Sequence, residues 1–204
     1  MTQISVTRAL AQVKSLNDRI EKGIAVPFIT NLTGGKHATG KPVDEITGTL
    51  TASLQSVQDL IAQRKALKSA IVRSNAVTNV TINGTVLTVA EAIERKSSIA
   101  LEQRLLHQLK GQQAQVALNV EKANVEMTRR IDNLLVTVIG KDRQASEAEI
   151  AAVTGPFKAQ NESTALDPNN LSVVVEKLQK DIDGFLLEVD YALSEINATT
   201  MITV

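Results

Sequence analysis

Residues 35–41, which read GKHATGK, are the first segment whose residue types and spacing suggest chemistry. Two glycines separated by four residues, the second followed by lysine, match the phosphate-binding loop of nucleotide-binding proteins, where backbone N–H groups and the lysine hold phosphates. The next residue is Pro42, although that loop requires a Ser or Thr hydroxyl there to hold magnesium. The sequence also shows neither a preceding parallel strand nor a Walker-B pattern. Nucleotide binding is therefore the least favoured function, and a flexible glycine-rich loop is the favoured interpretation.

Other chemistry would require cysteines, clustered histidines or paired carboxylates. The chain has no Cys, and its two histidines, His37 and His107, fall in a loop and in a long predicted helix, with no second ligand three or four residues after His107. Helix carboxylates are mixed with Lys and Arg, as on any solvated surface; they include Glu121, Glu126, Asp181, Asp183, Glu188 and Asp190. We therefore predict no catalytic residues, no cofactor and no metal ligands, and a protein that is not an enzyme.

Composition restricts the partners and the shape. The 22 basic and 22 acidic residues are intermixed along the chain, which gives no electrostatic pattern for nucleic acid or an anionic membrane. No apolar run approaches the ~20 residues needed to cross a bilayer, and the first residues lack a signal-peptide pattern, so the protein is expected to be made in the cytoplasm. Aromatic residues are only 2% of the chain, which favours narrow seams between helices over a compact core.

The first 76 residues predict two helices. From about residue 5 to residue 24, apolar residues recur at alternating intervals of three and four, the spacing of a coiled-coil stripe: Val6, Ala9, Val13, Leu16 and Ile20. Pro27 and the glycine-rich segment end this helix. A second helix, up to about Ser74, carries Leu50, Val57, Leu60, Leu67 and Ile71 on one face. The two helices are expected to form an antiparallel hairpin across a long loop.

Residues 77–89 predict a small β-hairpin, because two β-branched runs flank Asn83-Gly84, the strongest short-range signal for a type I′ turn. Thr88 and Glu91 then form a predicted capping box at the start of a helix that extends to Gly140. A bend is possible at Gly111. The apolar seam of this helix keeps a seven-residue period through Ala92, Ile99, Leu106, Gln113, Val120, Met127 and Leu134, with Leu109, Val116 and Ala123 at the paired position.

Residues 141–170 predict a linker or small accessory module. Ser146 can cap a short helix that Gly155-Pro156 ends, and residues 167–170 have turn chemistry. The last helix has apolar residues at alternating intervals of four and three: Leu171, Val175, Leu178, Ile182, Phe185, Val189, Ala192 and Ile196. Residues 199–204 alternate as a half-buried strand does, and we expect them to pair with the hairpin at 77–89, in the same chain or a neighbour.

Together these patterns predict a mainly α fold: an elongated antiparallel helical bundle or coiled coil with long heptad helices and a small β-hairpin. We divide the chain into residues 1–76, an N-terminal helical hairpin with a Gly-rich loop; 77–140, the β-hairpin and long central helix; 141–170; and 171–204, a C-terminal heptad helix with a β-like tail. The predicted interaction seam comprises Ile99, Leu106, Leu109, Val116, Val120, Leu171, Val175, Leu178, Ile182, Phe185, Val189 and Ile196. Periodicity leaves open whether these seams pack within one chain or between chains.

Three segments carry a family resemblance. They resemble an uncharacterised helical family of bacteria and tailed phages, sometimes labelled septicolysin-like. The first segment is residues 6–10 leading to Arg19-Ile20, the second is residues 73–75 followed by the Asn-Gly hairpin and residues 87–93, and the third is residues 178–190 with 197–200. The match extends over most of the chain. No catalytic residue can be transferred, because none is established for the family, and the absence of Cys and of a Trp-rich membrane motif argues against toxin activity.

The resemblance implies a phage context, so the function we expect is that of a non-enzymatic structural protein. The preferred hypothesis is a tailed-phage virion component, in the neck, collar or tail, that is a homo-oligomer through its coiled-coil helices and contacts other virion proteins. The alternative is a cytoplasmic assembly chaperone or adaptor. A nucleotide-dependent enzyme accounts only for residues 35–41.

Overall fold

The computed structural model describes residues 2–32, 37–38 (backbone only), 41–140 and 145–203. Within them the fold is mainly α, a helical bundle with a small β-hairpin, as the sequence predicts. The helices are α1 (Val6–Ile24), α2 (Val43–Val77), α3 (Val89–Ile139), α4 (Glu147–Asn161) and α5 (Leu171–Thr199). The strands are β1 (Gln3–Ser5), β2 (His37–Ala38), β3 (Lys41–Pro42), β4 (Asn79–Ile82), β5 (Thr85–Thr88) and β6 (Met201–Thr203).

The chain divides into two compact units. Unit 1 comprises residues 1–98 and 184–204, and unit 2 comprises residues 99–183. Both α3 and α5 contribute residues to each unit, so this division differs from one made by following the order of segments along the chain.

In unit 1, α1 packs against α2. Asn17 accepts a hydrogen bond from Arg64 at 2.5 Å, and a Cβ on Gly23 would lie 2.6 Å from the Val57 side chain. Chain positions thus rise along α1 as they fall along α2, which confirms the antiparallel helical hairpin. All five residues of the predicted α1 stripe are buried, and the shared core contains Ile4, Val6, Ala9, Val13, Leu16, Ile20, Leu60, Leu67, Ala70, Ile71 and Ile202.

The C-terminal tail forms a strand, but the predicted partner is wrong. β6 pairs antiparallel with β1, and Ile4 is opposite Ile202. Both side chains are buried in the core of the α1–α2 pair, and the Val6 N–H donates to the Thr200 carbonyl at 3.0 Å. The tail therefore covers the end of this helix pair and satisfies a donor in the first turn of α1, whereas β4 and β5 pair with each other.

The predicted β-hairpin is confirmed. β4 and β5 are joined by Asn83 and Gly84, whose φ angles of 49° and 72° are both positive, as a type I′ turn requires. Thr88 and Glu91 form the capping box of α3: the Glu91 N–H donates to the Thr88 hydroxyl at 3.2 Å, and the Thr88 N–H donates to the Glu91 carboxylate at 2.7 Å.

In unit 2, α3 continues through Gly111 and ends at Ile139, and Gly140 follows it with a φ of 92°, as a glycine C-cap does. The predicted cap at Ser146 is confirmed, and the structure shows that it forms a capping box with Glu149. The prediction that α4 stops at Gly155-Pro156 is wrong, since α4 runs on to Asn161. Proline's fixed φ is compatible with a helix, and the missing N–H costs one hydrogen bond without ending it. The turn at 167–170 is confirmed, with the Asp167 carboxylate accepting from two backbone N–H groups.

Candidate interaction surfaces

Two side-chain hydrogen bonds in unit 2 join α3 and α5, the helices that carry the predicted seam residues. The side chain of Lys110 donates to Gln179 at 2.6 Å, and that of Gln113 donates to Ser172 at 2.7 Å, so the two helices run antiparallel within this unit. Among the seam residues of unit 2, Val116 is 43% exposed. Three are buried: Ile99, Leu106 and Ile182. The others are half-buried: Leu109, Val120, Leu171, Val175 and Leu178. Ala123, placed at the same heptad position as Val116, is also exposed.

The seam residues of unit 1 are Phe185, Val189 and Ile196. Phe185 and Val189 are fully buried, and Ile196 is half-buried. The Arg95 guanidinium lies 4.5 Å from the centre of the Phe185 ring, so a cation on α3 covers the one buried aromatic ring of this part of α5. The seams are thus largely covered by the chain's own residues.

The turn of the β-hairpin contacts α5. The Asn83 N–H donates to the Glu188 carboxylate at 2.5 Å. A Cβ on Gly184 would lie only 2.5 Å from the side-chain amide of Asn83. Lys96 and Asp190 form an ion pair beside this contact. Gly184 is therefore required for the close approach of the turn, and the sequence analysis did not identify this role.

Residues 162–170, the connector between α4 and α5, are held on α3 by the side chain of Asn124. Its amide makes a pair of hydrogen bonds with backbone groups of Ser163, as a neighbouring strand would. The Asn124 amide donates to the Ser163 carbonyl at 2.9 Å, and the Ser163 N–H donates to the Asn124 side-chain oxygen at 2.8 Å. The connector covers a cavity of about 380 Å³ whose lining includes Gln113, Val116 and Leu171. No signal in the sequence singles out Asn124 from the other asparagines of α3.

Ionisable groups with displaced pKa values occur in helix caps and in ion pairs within one turn. Hydrogen bonds from Arg129 and then Arg130 lower the pKa of Glu126 from 4.5 to about 2. The Thr88 N–H, followed by its hydroxyl, lowers the pKa of Glu91. No polar or charged side chain is fully buried in the described part of the chain. These groups have a structural explanation and do not form a reactive cluster.

The other chemical candidates remain isolated. His107 is exposed on α3, and the described residues include no group of three His, Cys, Asp or Glu side chains that could hold a metal ion. The match to the phosphate-binding loop, residues 35–41, lies mostly outside the described residues. The part that the structure describes forms a two-stranded sheet, in which His37–Ala38 lie opposite Lys41–Pro42. None of the helices in the described ranges contains a stretch apolar and long enough to cross a bilayer.

Large apolar side chains are abundant on the surface. Among the described residues, 26 large apolar side chains are exposed, against 22 apolar residues in the core. Exposed pairs one helical turn apart recur on several helices, among them Leu101 and Leu105 on α3, and Leu187 and Tyr191 on α5.

One exposed face was missed by the sequence analysis. The α2 residues Ile61, Lys65, Lys68 and Val72 follow one another at intervals of four, three and four, and they line a shallow groove with Arg64 and Arg73. Ile61 and Val72 are 47% and 60% exposed. The available signal was local: residues 60–90 contain no Asp or Glu, although the whole chain is neutral.

No protein-family model, curated protein or solved structure matches this chain. The resemblance to the helical family of bacteria and tailed phages therefore stays a prediction.

Proposed function

We propose that this chain is a non-enzymatic structural protein that associates with copies of itself through its helices. The observation that carries the proposal is the excess of exposed large apolar residues over buried ones in the described part of the chain. Burying one such side chain is worth about 1.5–3 kcal/mol, so contact between chains gains free energy that one chain alone leaves unused.

Most seam residues are covered within the chain, so the contacts between copies use other helix faces. Residues such as Leu101, Leu105, Leu187 and Tyr191 project from helices that are already held in place by their buried sides. Rigid helices that present apolar residues one turn apart suit a helix-to-helix interface. The scattered carboxylates, the isolated His107 and the cap-bound Glu91 support a role without catalysis.

The more specific proposal is a tailed-phage virion component in the neck, collar or tail. It rests on the sequence resemblance together with the self-association argument. Mass spectrometry of purified particles tests it: we expect this chain in mature particles at a stoichiometry that matches its oligomer. Detection only in assembly intermediates would instead favour the chaperone or adaptor.

Sedimentation velocity across about 1–100 µM tests self-association, a range that covers the micromolar dissociation constants of modest interfaces. We expect species larger than the 21.9 kDa monomer to increase with concentration. A folded monomer over the whole range would overturn the proposal. Circular dichroism on the same samples ensures that a larger species is not unfolded aggregate.

A further inference from the structure

Folding gathers a basic region on unit 1. Residues 2–17 and 60–90 contain no Asp or Glu, and they carry six of the 22 basic residues: Arg8, Lys14, Arg64, Lys65, Lys68 and Arg73. The antiparallel packing of α1 on α2 brings these two segments side by side, because Asn17 contacts Arg64. The chain is neutral overall, so the remaining residues carry a net charge of −6.

The centre of this region combines charge with apolar surface. Lys65 and Lys68 are exposed, and they lie between the exposed side chains of Ile61 and Val72 on the same face of α2. Neither lysine makes an ion pair with any residue that the structure describes. Apolar ends and a basic centre fit a helix that offers carboxylates between apolar residues. We call these four residues the α2 face.

A surface of the complementary type lies on α5 in the same unit. Leu187 and Tyr191 are 72% and 79% exposed and lie on the side of the helix opposite the buried Phe185 and Val189. Asp190 lies between these two positions along α5, Glu195 lies one turn after Tyr191, and residues 184–204 include no basic residue. Asp190 also forms an ion pair with Lys96 on α3. Glu195 is exposed. We call Leu187, Asp190, Tyr191 and Glu195 the α5 face.

We propose that the α2 face of one copy binds the α5 face of a second copy. This inference rests on the proposed self-association and assigns it two surfaces. In an antiparallel approach, Val72 contacts Leu187 and Ile61 contacts Ala198 of the other copy. Lys68 and Lys65 then lie near Asp190 and Glu195, because these positions have nearly the same spacing along their helices. The two faces differ, so the contact is heterologous, and repetition of it produces a ring or an open chain of subunits.

A second copy fits the α2 face better than a nucleic acid or an anionic lipid surface does. Polyanion binding depends on charge and leaves Ile61 and Val72 without a role, and the neutral chain attracts polyanions only weakly at long range. A helix with apolar residues one turn apart uses both parts of the face. The other occupants are therefore outcomes that the experiment must distinguish.

Charge reversal on each face provides the test. Variant A is Lys65→Glu/Lys68→Glu, and variant B is Asp190→Asn/Glu195→Lys. We expect each alone to weaken self-association by about tenfold or more, because attraction across the interface becomes repulsion. An equimolar mixture of A and B regains association, since each now offers the charge that the other has lost. The control is Lys177→Glu/Lys180→Glu, which makes the same charge change as variant A on exposed α5 residues and should associate like wild type.

Sedimentation velocity gives the readout, with a thermal melt to verify that each variant is folded. If wild type associates while A and B do so equally well, the two faces are wrong and the proposed self-association stands. If A and B dissociate but their mixture does not recover, the pairing of these faces is overturned. Binding of wild type to duplex DNA or to phosphatidylserine vesicles that variant A abolishes, with self-association unchanged, would assign the α2 face to a polyanion instead.

Discussion

Unit 1 and unit 2 are stabilised in different ways, although both are mainly helical. Only four of the 22 buried apolar residues belong to unit 2: Ile99, Leu106, Met127 and Ile182. Unit 1 holds the rest, and its helix ends are also fixed by the β1–β6 pair and the β-hairpin. Unit 2 has α4, in which no residue is buried, and a connector tied to α3 by the paired hydrogen bonds of Asn124.

The difference in burial predicts a difference in stability between the units that helix content alone does not indicate. A helix with few buried side chains opens locally at a low free energy, whereas one in a packed core opens only when the unit unfolds. We therefore expect backbone amides of α4 and of the connector to exchange with solvent faster than those of α1 and the buried half of α2.

The largest expected effect follows the substitution Phe185→Ala in unit 1. Removal of the buried ring, which also contacts Arg95, should lower the free energy of unfolding by about 3–5 kcal/mol. Ser194→Ala, at an exposed position of α5 in the same unit and outside the α5 face, is the control and should change it by less than about 0.5 kcal/mol. Urea unfolding measures both. Equal effects would mean that the buried side of α5 in unit 1 contributes no more to stability than its exposed side.

A smaller effect is expected for Asn124→Ala in unit 2. Loss of both hydrogen bonds to Ser163 should lower the free energy of opening of the connector by about 1–2 kcal/mol and leave α1 and α2 unaffected. Asn119→Ala is matched in residue type and in helix, but Asn119 only accepts a bond from Gln115 four residues earlier. Hydrogen exchange at residues 162–171 should distinguish them, and identical rates in the two variants would refute the role of Asn124.

Two Gly→Ala substitutions should have opposite signs. Gly111→Ala in α3 meets open space and replaces a poor helix former, so we expect stabilisation of about 0.5–1 kcal/mol. At Gly184 the same new methyl group would overlap the Asn83 side chain, and we expect destabilisation of about 1–3 kcal/mol because the hairpin turn must move. Thermal melts measure both. Stabilisation by Gly184→Ala would show that the turn does not need this close approach.

The smallest effect is a pH dependence in unit 2. Glu126 has its pKa lowered to about 2 by Arg129 and Arg130, so its favourable contribution is complete above the ordinary value of 4.5 and disappears as the pH falls towards 2. The difference in Tm between wild type and Glu126→Gln should therefore shrink between pH 4.5 and 2. The effect is small because the pair is exposed. A difference that grows over this interval would contradict the sign.

Features set by local periodicity were predictable. The α1 stripe from Val6 to Ile20 matched the buried residues one for one, because a three-four spacing leaves a helix only one apolar side. Asn83-Gly84 and the capping boxes at Thr88 and Ser146 were likewise predictable, since each satisfies backbone geometry within a few residues.

Features set by distant residues were not predictable. Gln3–Ser5 is too short for a strand pattern, so nothing in the sequence pointed to it as the partner of the tail. The pairing of Asn124 with Ser163 links positions with no shared periodicity. The α2 face escaped because charges averaged along the chain are balanced, whereas folding places two acid-free segments together.

The β1–β6 pair also has a consequence for how the chain folds during synthesis. Gln3–Ser5 leaves the ribosome long before its partner Met201–Thr203 is made. At about 5–20 residues per second, the ~200 residues between them take about 10–40 s to translate, far longer than a helical hairpin needs to form. The α1–α2 pair therefore forms before β6 has been synthesised, and its end is uncovered during that time. Ile4 is accessible to other nascent chains until Ile202 has been synthesised and packs against it.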